Sequence, residues 1–132
     1  RVARAFSDPP MNLIAGTATP AGVELANGLT LPLTLPAASG TELTIGARAG
    51  TLRVLARDGD LGLQGTVELA EISGSDTFVH ASTAVGELVA QLTGVHQFEL
   101  GARITLHLSP EQAYVFDAAG NLMLAPRFAA AV

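Results

Sequence analysis

The chain of 132 residues contains no cysteine, no lysine and no tryptophan. Without cysteine there is no disulfide, no thiolate nucleophile and no cysteine-based zinc site. Without lysine the phosphate-binding loop G-x-x-x-x-G-K-[ST] cannot be written, and Schiff-base and lysine-dependent phosphoryl chemistry are excluded with it. Charge is scarce as well: 14% of residues are charged, and 7 basic residues, all arginine, stand against 12 acidic ones for a net charge of -5. A chain of that sign has no electrostatic footprint for non-specific nucleic-acid binding. No apolar run approaches the roughly 18–20 residues that a membrane-spanning helix needs. The opening Arg1-Val2-Ala3-Arg4-Ala5-Phe6 has neither an initiator methionine nor the apolar stretch of a signal peptide, so the expectation is a piece of a longer protein.

What is present is an aliphatic stock, with 48% hydrophobic residues and only five phenylalanines and one tyrosine among the aromatics. A chain of this length buries roughly two thirds of its unfolded surface and folds without covalent staples. Residues 1–10 end in Asp8-Pro9-Pro10, which stops any helix, and read as the end of a linker. From Met11 to Val132 short β-branched and aliphatic runs alternate with glycine, the pattern of an all-β barrel or sandwich with little helix. Leu29, Leu31, Leu33 and Leu35 alternate with Thr30, Pro32, Thr34 and Pro36; the prolines cannot join a ladder, which predicts an edge strand. Leu52, Val54 and Ala56 predict a further strand, ended by a turn at Asp58-Gly59-Asp60-Leu61-Gly62. Two interlocked halves could meet near 58–65, and Gly16-Thr17 and Gly65-Thr66 occupy similar places in them.

Val67 and Leu69 are expected to point the same way, and Ile72 falls out of phase with them, which places a bulge near Ala70-Glu71. Strands are expected over 77–81, 87–92, 104–108, 113–116 and 121–124, with a turn at Gly74-Ser75-Asp76. His80, His96 and His107 fall on or beside three different strands, a spacing that does not build a zinc site. Ser75, Asp76 and His80 lack the G-x-S-x-G elbow and a following helix, so they do not read as a hydrolase triad. Asp58 and Asp60 resemble the start of a calcium loop, but Gly62 and Leu69 stand where further oxygen ligands belong. Glu68, Glu71 and Glu87 read as the wet face of an antiparallel sheet. No catalytic residue, cofactor site or metal site is expected.

The order of several blocks carries more. Residues 2–13 resemble the "VA-x-F-x-x-x-P-x-MN" stretch through which the ATPase subunit of carbohydrate-type ABC importers passes into its C-terminal regulatory domain. Residues 43–50 resemble the family's "L-x-x-G-I-R-P-E" turn, with Ala49 and Gly50 in place of proline and glutamate. Residues 71–80 are similar to its "E-x-L-G-x-(D/E)-x-x-(V/L)-H" hairpin. Residues 101–120 are similar to its "G-x-x-V-x-L … P-E-x-x-x-x-F-D-x-x-T-G" ending, with Ala119 where threonine is usual. The resemblance implies an oligonucleotide/oligosaccharide-binding-type barrel of the transport-associated (TOBE) class, a regulatory and dimerising domain without chemistry of its own. It implies a parent that hydrolyses ATP with Mg²⁺ through another domain, at the cytoplasmic face of the membrane against permease subunits. The imported solute would be a sugar, a polyol or a glycerol phosphate, and the regulatory domains would pair as a homodimer.

That contact is expected at Tyr114, Phe116 and Asp117 and at the hairpin residues Gly74, Ser75, Asp76 and His80, which combine aromatic anchors with a polar rim. Phe116 stays open between that interface and the core. The alternative function is a small-oxyanion module of the molybdate type; its "S-A-R-N-Q" opening is missing, and residues 60–65 stand there instead. A carbohydrate-binding β-module would want exposed aromatic platforms, for which one tyrosine is thin provision.

Overall fold

Strands with one buried face write themselves as period-two alternation, and the computed structural model, which describes residues 11–126, shows this in most of its elements. The ten strands are β1 (Met11–Thr19), β2 (Gly22–Leu25), β3 (Thr30–Leu31), β4 (Glu42–Arg48), β5 (Leu61–Ser73), β6 (Asp76–Thr83), β7 (Gly86–Thr93), β8 (Arg103–Leu108), β9 (Tyr114–Asp117) and β10 (Leu122–Leu124). Helix among the described residues is confined to two 3-10 turns, Ala49–Thr51 and Pro110–Gln112. All neighbours pair antiparallel, in a six-stranded sheet of order β10-β9-β4-β1-β2-β3 and a four-stranded sheet of order β7-β6-β5-β8. The expected all-β architecture with little helix is what the chain adopts.

The chain leaves the first sheet after β4, builds the whole second sheet, and returns to lay β9 beside β4. Side chains from both sheets, among them Ile14, Ile45 and Val115 from one and Leu63, Leu88 and Leu106 from the other, share one apolar cluster. Burying aliphatic side chains of this size stabilises by about 1.5–3 kcal/mol each, before the entropy of ordering them is subtracted.

Three local expectations are corrected. The strand expected over 52–56 is a single antiparallel bridge between Arg53 and His107. Leu52 is buried against the core, so the alternation there records burial without a ladder. The bulge lies at Glu68, where the β5–β6 register shifts between Val67 and Leu69, not at Ala70-Glu71. The extra residue turns Val67 inward and Leu69 outward, so the two do not share a face. The "turn" at 43–50 is the strand β4 followed by the 3-10 turn Ala49–Thr51. The expected edge strand at Leu29 is an edge, but it pairs over Thr30–Leu31 only, because Pro32 ends the ladder. The linker expected over 1–10 lies outside the described residues.

The two sheets are joined by a polar pin. Asn12, on β1 and buried, donates through Nδ2 to the carbonyls of Ala47 (3.0 Å) and Val89 (2.9 Å), and its Oδ1 accepts the Val89 N–H at 2.7 Å. One side chain thus meets both backbone groups of a residue on the outer edge of β7, in the other sheet.

Candidate functional site

On β9 Val115 points into the core while Tyr114 and Phe116 point out, which takes Phe116 out of the buried cluster. Their rings lie nearly parallel, 7° apart, with centroids separated by 6.2 Å. Beneath them runs β4, in the register Gly46↔Tyr114 and Thr44↔Phe116. A Cβ at Gly46 would come within 2.7 Å of Met11 Sδ and 2.9 Å of Phe116 Cε2, so glycine leaves the room in which the aromatic side chains lie across the sheet. Arg48 closes one end: its Nε donates to the Tyr114 hydroxyl at 3.3 Å, and its guanidinium carbon sits 5.5 Å from the ring centroid. A cation over the ring face is attracted by the π quadrupole. The result is an aromatic patch with a polar edge on the outer face of the six-stranded sheet.

Asp117 is taken up by its own turn. Its Oδ1 accepts the N–H groups of Ala119 (2.9 Å) and Asn121 (2.8 Å), and Oδ2 accepts from Asn121 Nδ2 at 3.2 Å. These bonds, the Asn121 N–H foremost, favour the charged form and hold its pKa below the ordinary carboxylate value.

The hairpin candidates occupy the other sheet. Gly74 has φ +64 and Ser73 pairs with Asp76, the two-residue loop with glycine first that suits the strand twist. Asp76 accepts from Gln91 at 2.8 Å, and the Ser75 carbonyl accepts the Gly94 N–H. His80 lies 3.6 Å from Glu71. Asp76 and His80 are therefore engaged with different partners and do not converge on Ser75. Thr77, fully buried, ties the hairpin down by donating to the Gly94 carbonyl and accepting the His96 N–H, each at 2.9 Å. The structure therefore gathers Tyr114 and Phe116 into one patch, spends Asp117 on a turn, and places Gly74, Ser75, Asp76 and His80 on the separate β5–β6 hairpin.

No group of three metal-ligating side chains converges among the described residues. Asp60 is bound by Arg53, Nη2 to Oδ1 at 2.9 Å and Nη1 to Oδ2 at 2.8 Å, and by the Arg57 N–H at 2.8 Å. Its side chain is 2% exposed, and the Arg53 hydrogen bond holds its pKa down. Sequence reading placed Asp60 in a turn and weighed it as the start of a calcium loop, and it gave Asn12 and Arg53 no structural role.

An open groove of about 380 Å³ on the four-stranded sheet is lined by Gln64, Thr66, Ser82, Thr83, Arg103 and Thr105, among others. Arg103 is its one cation, while Ser82 pairs directly with Glu87. The Glu87 side chain, on the neighbouring part of the sheet, holds the Glu68 pKa above its ordinary value.

Residues 45–116 match the family model of the TOBE domain. The chain is 36% identical over 125 residues to the sn-glycerol-3-phosphate import ATP-binding protein of Chromohalobacter salexigens, covering 90% of this chain and 33% of that protein. It is 30% identical over 130 residues to the protein of the same name from Yersinia enterocolitica, covering 93% and 36%. The Escherichia coli protein of that name is 31% identical over 120 residues, covering 88% and 33%. The chain thus spans about a third of the length of these curated relatives. Among solved structures, the cytoplasmic molybdate-binding protein ModG, with molybdate bound, superposes with a TM-score of 0.65 at 17% identity over 83% of this chain and 95% of that one. At that identity the likeness is one of fold alone.

Proposed function

The chain belongs to the TOBE domain family, and from that premise we propose that it is the regulatory and dimerising domain of the ATP-binding subunit of an ABC importer, with glycerol 3-phosphate or a related polyol phosphate or sugar as the imported solute. The observation that carries the reading is the 30–36% identity to import ATP-binding proteins along about nine tenths of this chain. In this reading the described domain does no chemistry. ATP and Mg²⁺ are held by a nucleotide-binding domain outside the chain, since a chain without lysine cannot supply the Walker lysine.

The physical features fit a module that transmits contact. A single apolar core pinned by Asn12 makes the two sheets one rigid unit, while its outer face offers a stacked aromatic pair with an arginine at its edge. Partners in this reading are the nucleotide-binding domain of the same polypeptide, a second copy of the subunit, and the permease subunits reached through them. The site of action is the cytoplasmic face of the membrane; among the described residues no helix is long and apolar enough to cross it. Fold likeness to a molybdate-binding protein at 17% identity carries no ligand over to this chain.

The reading frame upstream of Arg1 tests the proposal. A nucleotide-binding domain with its Walker lysine is expected there; a frame that opens beside Arg1, or upstream sequence without such a domain, overturns it.

A further inference from the structure

Residues 61–93, which form β5, β6 and β7, contain four carboxylates, Glu68, Glu71, Asp76 and Glu87, and neither arginine nor lysine. The register gathers them on one face. Val79, Ala81, Leu88 and Ala90 turn into the core, so the residues alternating with them turn out. The row Leu69–His80–Val89 then lies beside the row Glu71–Phe78–Gln91, with Asp76 beyond one end and the pair Ser82–Glu87 beyond the other. Glu68, extruded at the bulge, reaches the same face, where Glu87 holds its pKa above the ordinary value. Arg103 on β8, across from Thr66, stands at the margin.

The centre of this face is apolar. Leu69 is 44% exposed, and Phe78 and Val89 are half-buried. A solvated sheet face ordinarily intersperses charges of both signs. Here carboxylates rim three apolar side chains, the layout of a contact surface with an apolar centre and a polar rim. The face is also held in place, because the Asn12 amide fixes the Val89 backbone from the other sheet. A positive charge brought against Glu68 and Glu87 relieves their mutual repulsion.

We propose that the outer face of β5–β7 is a docking surface for a protein segment that presents an apolar side chain flanked by arginine or lysine. Charge selects that occupant. A second copy seated on the same face sets four carboxylates against four, and an anionic lipid surface or a nucleic acid is repelled. A lone metal ion finds no group of three ligating side chains among the described residues. A basic segment gains twice: the rim steers its approach, and Leu69, Phe78 and Val89 seat its apolar side chain. The surface stands apart from the importer role and does not depend on it.

Calorimetric titration of the whole chain with a helical peptide bearing leucine and arginine on one face, with amide shifts mapped by NMR, tests it. Binding is expected, with shifts centred on Leu69, Phe78, His80 and Val89 and an affinity that falls as salt is raised. Leu69→Ser, and the combined variant Glu68→Gln, Glu71→Gln, Glu87→Gln, are each expected to weaken binding by about tenfold or more. The combined variant removes like charges from exposed positions and should melt no lower than the wild type. Glu24→Gln with Glu42→Gln, the same chemistry at exposed positions of the other sheet, should leave the affinity unchanged. Binding indifferent to Leu69→Ser or to the combined variant, or weakened as much by the Glu24 and Glu42 substitutions, overturns the docking surface. So does equal binding of a peptide with glutamate in place of arginine or serine in place of leucine, and so does a wild-type chain that does not bind the peptide.

Discussion

Replacing Asn12 with leucine is expected to lower the melting temperature by about 10 °C, the figure for losing roughly 3 kcal/mol in a domain of this size. The side chain is buried and serves three backbone groups: the carbonyls of Ala47 and Val89 and the Val89 N–H. A leucine of similar size fills the space but leaves those groups without their partner, and an unsatisfied buried polar group costs about 1–3 kcal/mol. Asn12→Asp separates shape from hydrogen bonding. It retains an acceptor for the Val89 N–H but sets a carboxylate against two carbonyl oxygens. Burial and those oxygens push the pKa of the introduced carboxyl up. Its deficit relative to wild type is therefore largest at neutral pH and shrinks as acid supplies a proton that can be donated. Thermal melts of both variants at pH 7 and pH 4 check this; an Asn12→Asp protein that melts with the wild type at pH 7 would show that the amide does not hold the sheets together.

The second large effect is expected at the Arg53–Asp60 pair. Asp60→Ala removes a carboxylate that is nearly inaccessible to water and leaves the Arg53 guanidinium, whose Nε is already buried without a partner, with no counter-charge. Breaking a buried pair on one side typically costs 3–5 kcal/mol; because Arg53 retains 23% exposure, about 3 kcal/mol is expected. The contribution depends on pH. The folded-state pKa of Asp60 lies below its ordinary 3.8, chiefly through the Arg53 hydrogen bond. A carboxylate depressed on folding stabilises in full above its unfolded pKa and loses that stabilisation as pH falls through the folded value. Denaturant unfolding of the wild type and of Asp60→Asn should therefore diverge most above pH 5 and converge as the pH is taken below 3.8. A constant gap across that range would mean that packing, not ionisation, makes the site.

The strands with one wet face were legible in the sequence for a physical reason. In β6, β7 and β8 every second residue meets the common core, so Val79, Ala81, Leu88, Ala90, Leu106 and Leu108 fall on the period that burial imposes. The bulge at Glu68 was not, because the spacing of Val67 and Leu69 is the same whether or not a residue is extruded between them; only the partner strand reveals it. Leu52 misled for the converse reason, being buried without a ladder. Asn12 reads as one more polar residue of a strand until β7 arrives from 77 positions away. Of the residues expected at an interface, Phe116 stayed open between surface and core until β9 showed Val115 turned inward, and the support from Gly46 and Arg48 came only with the pairing of β4 and β9. Gly74 was readable as a turn because the two-residue hairpin needs its positive φ.

The central claim is that this chain can serve as the C-terminal domain of an importer's ATP-binding subunit. The direct measurement is glycerol 3-phosphate uptake by cells whose glycerol-phosphate importer carries an ATP-binding subunit with its own C-terminal domain replaced by this chain. Uptake is expected to rise well above that of cells holding the subunit truncated before the domain. A chimera that accumulates and hydrolyses ATP, yet takes up no more solute than the truncated subunit, would contradict the account.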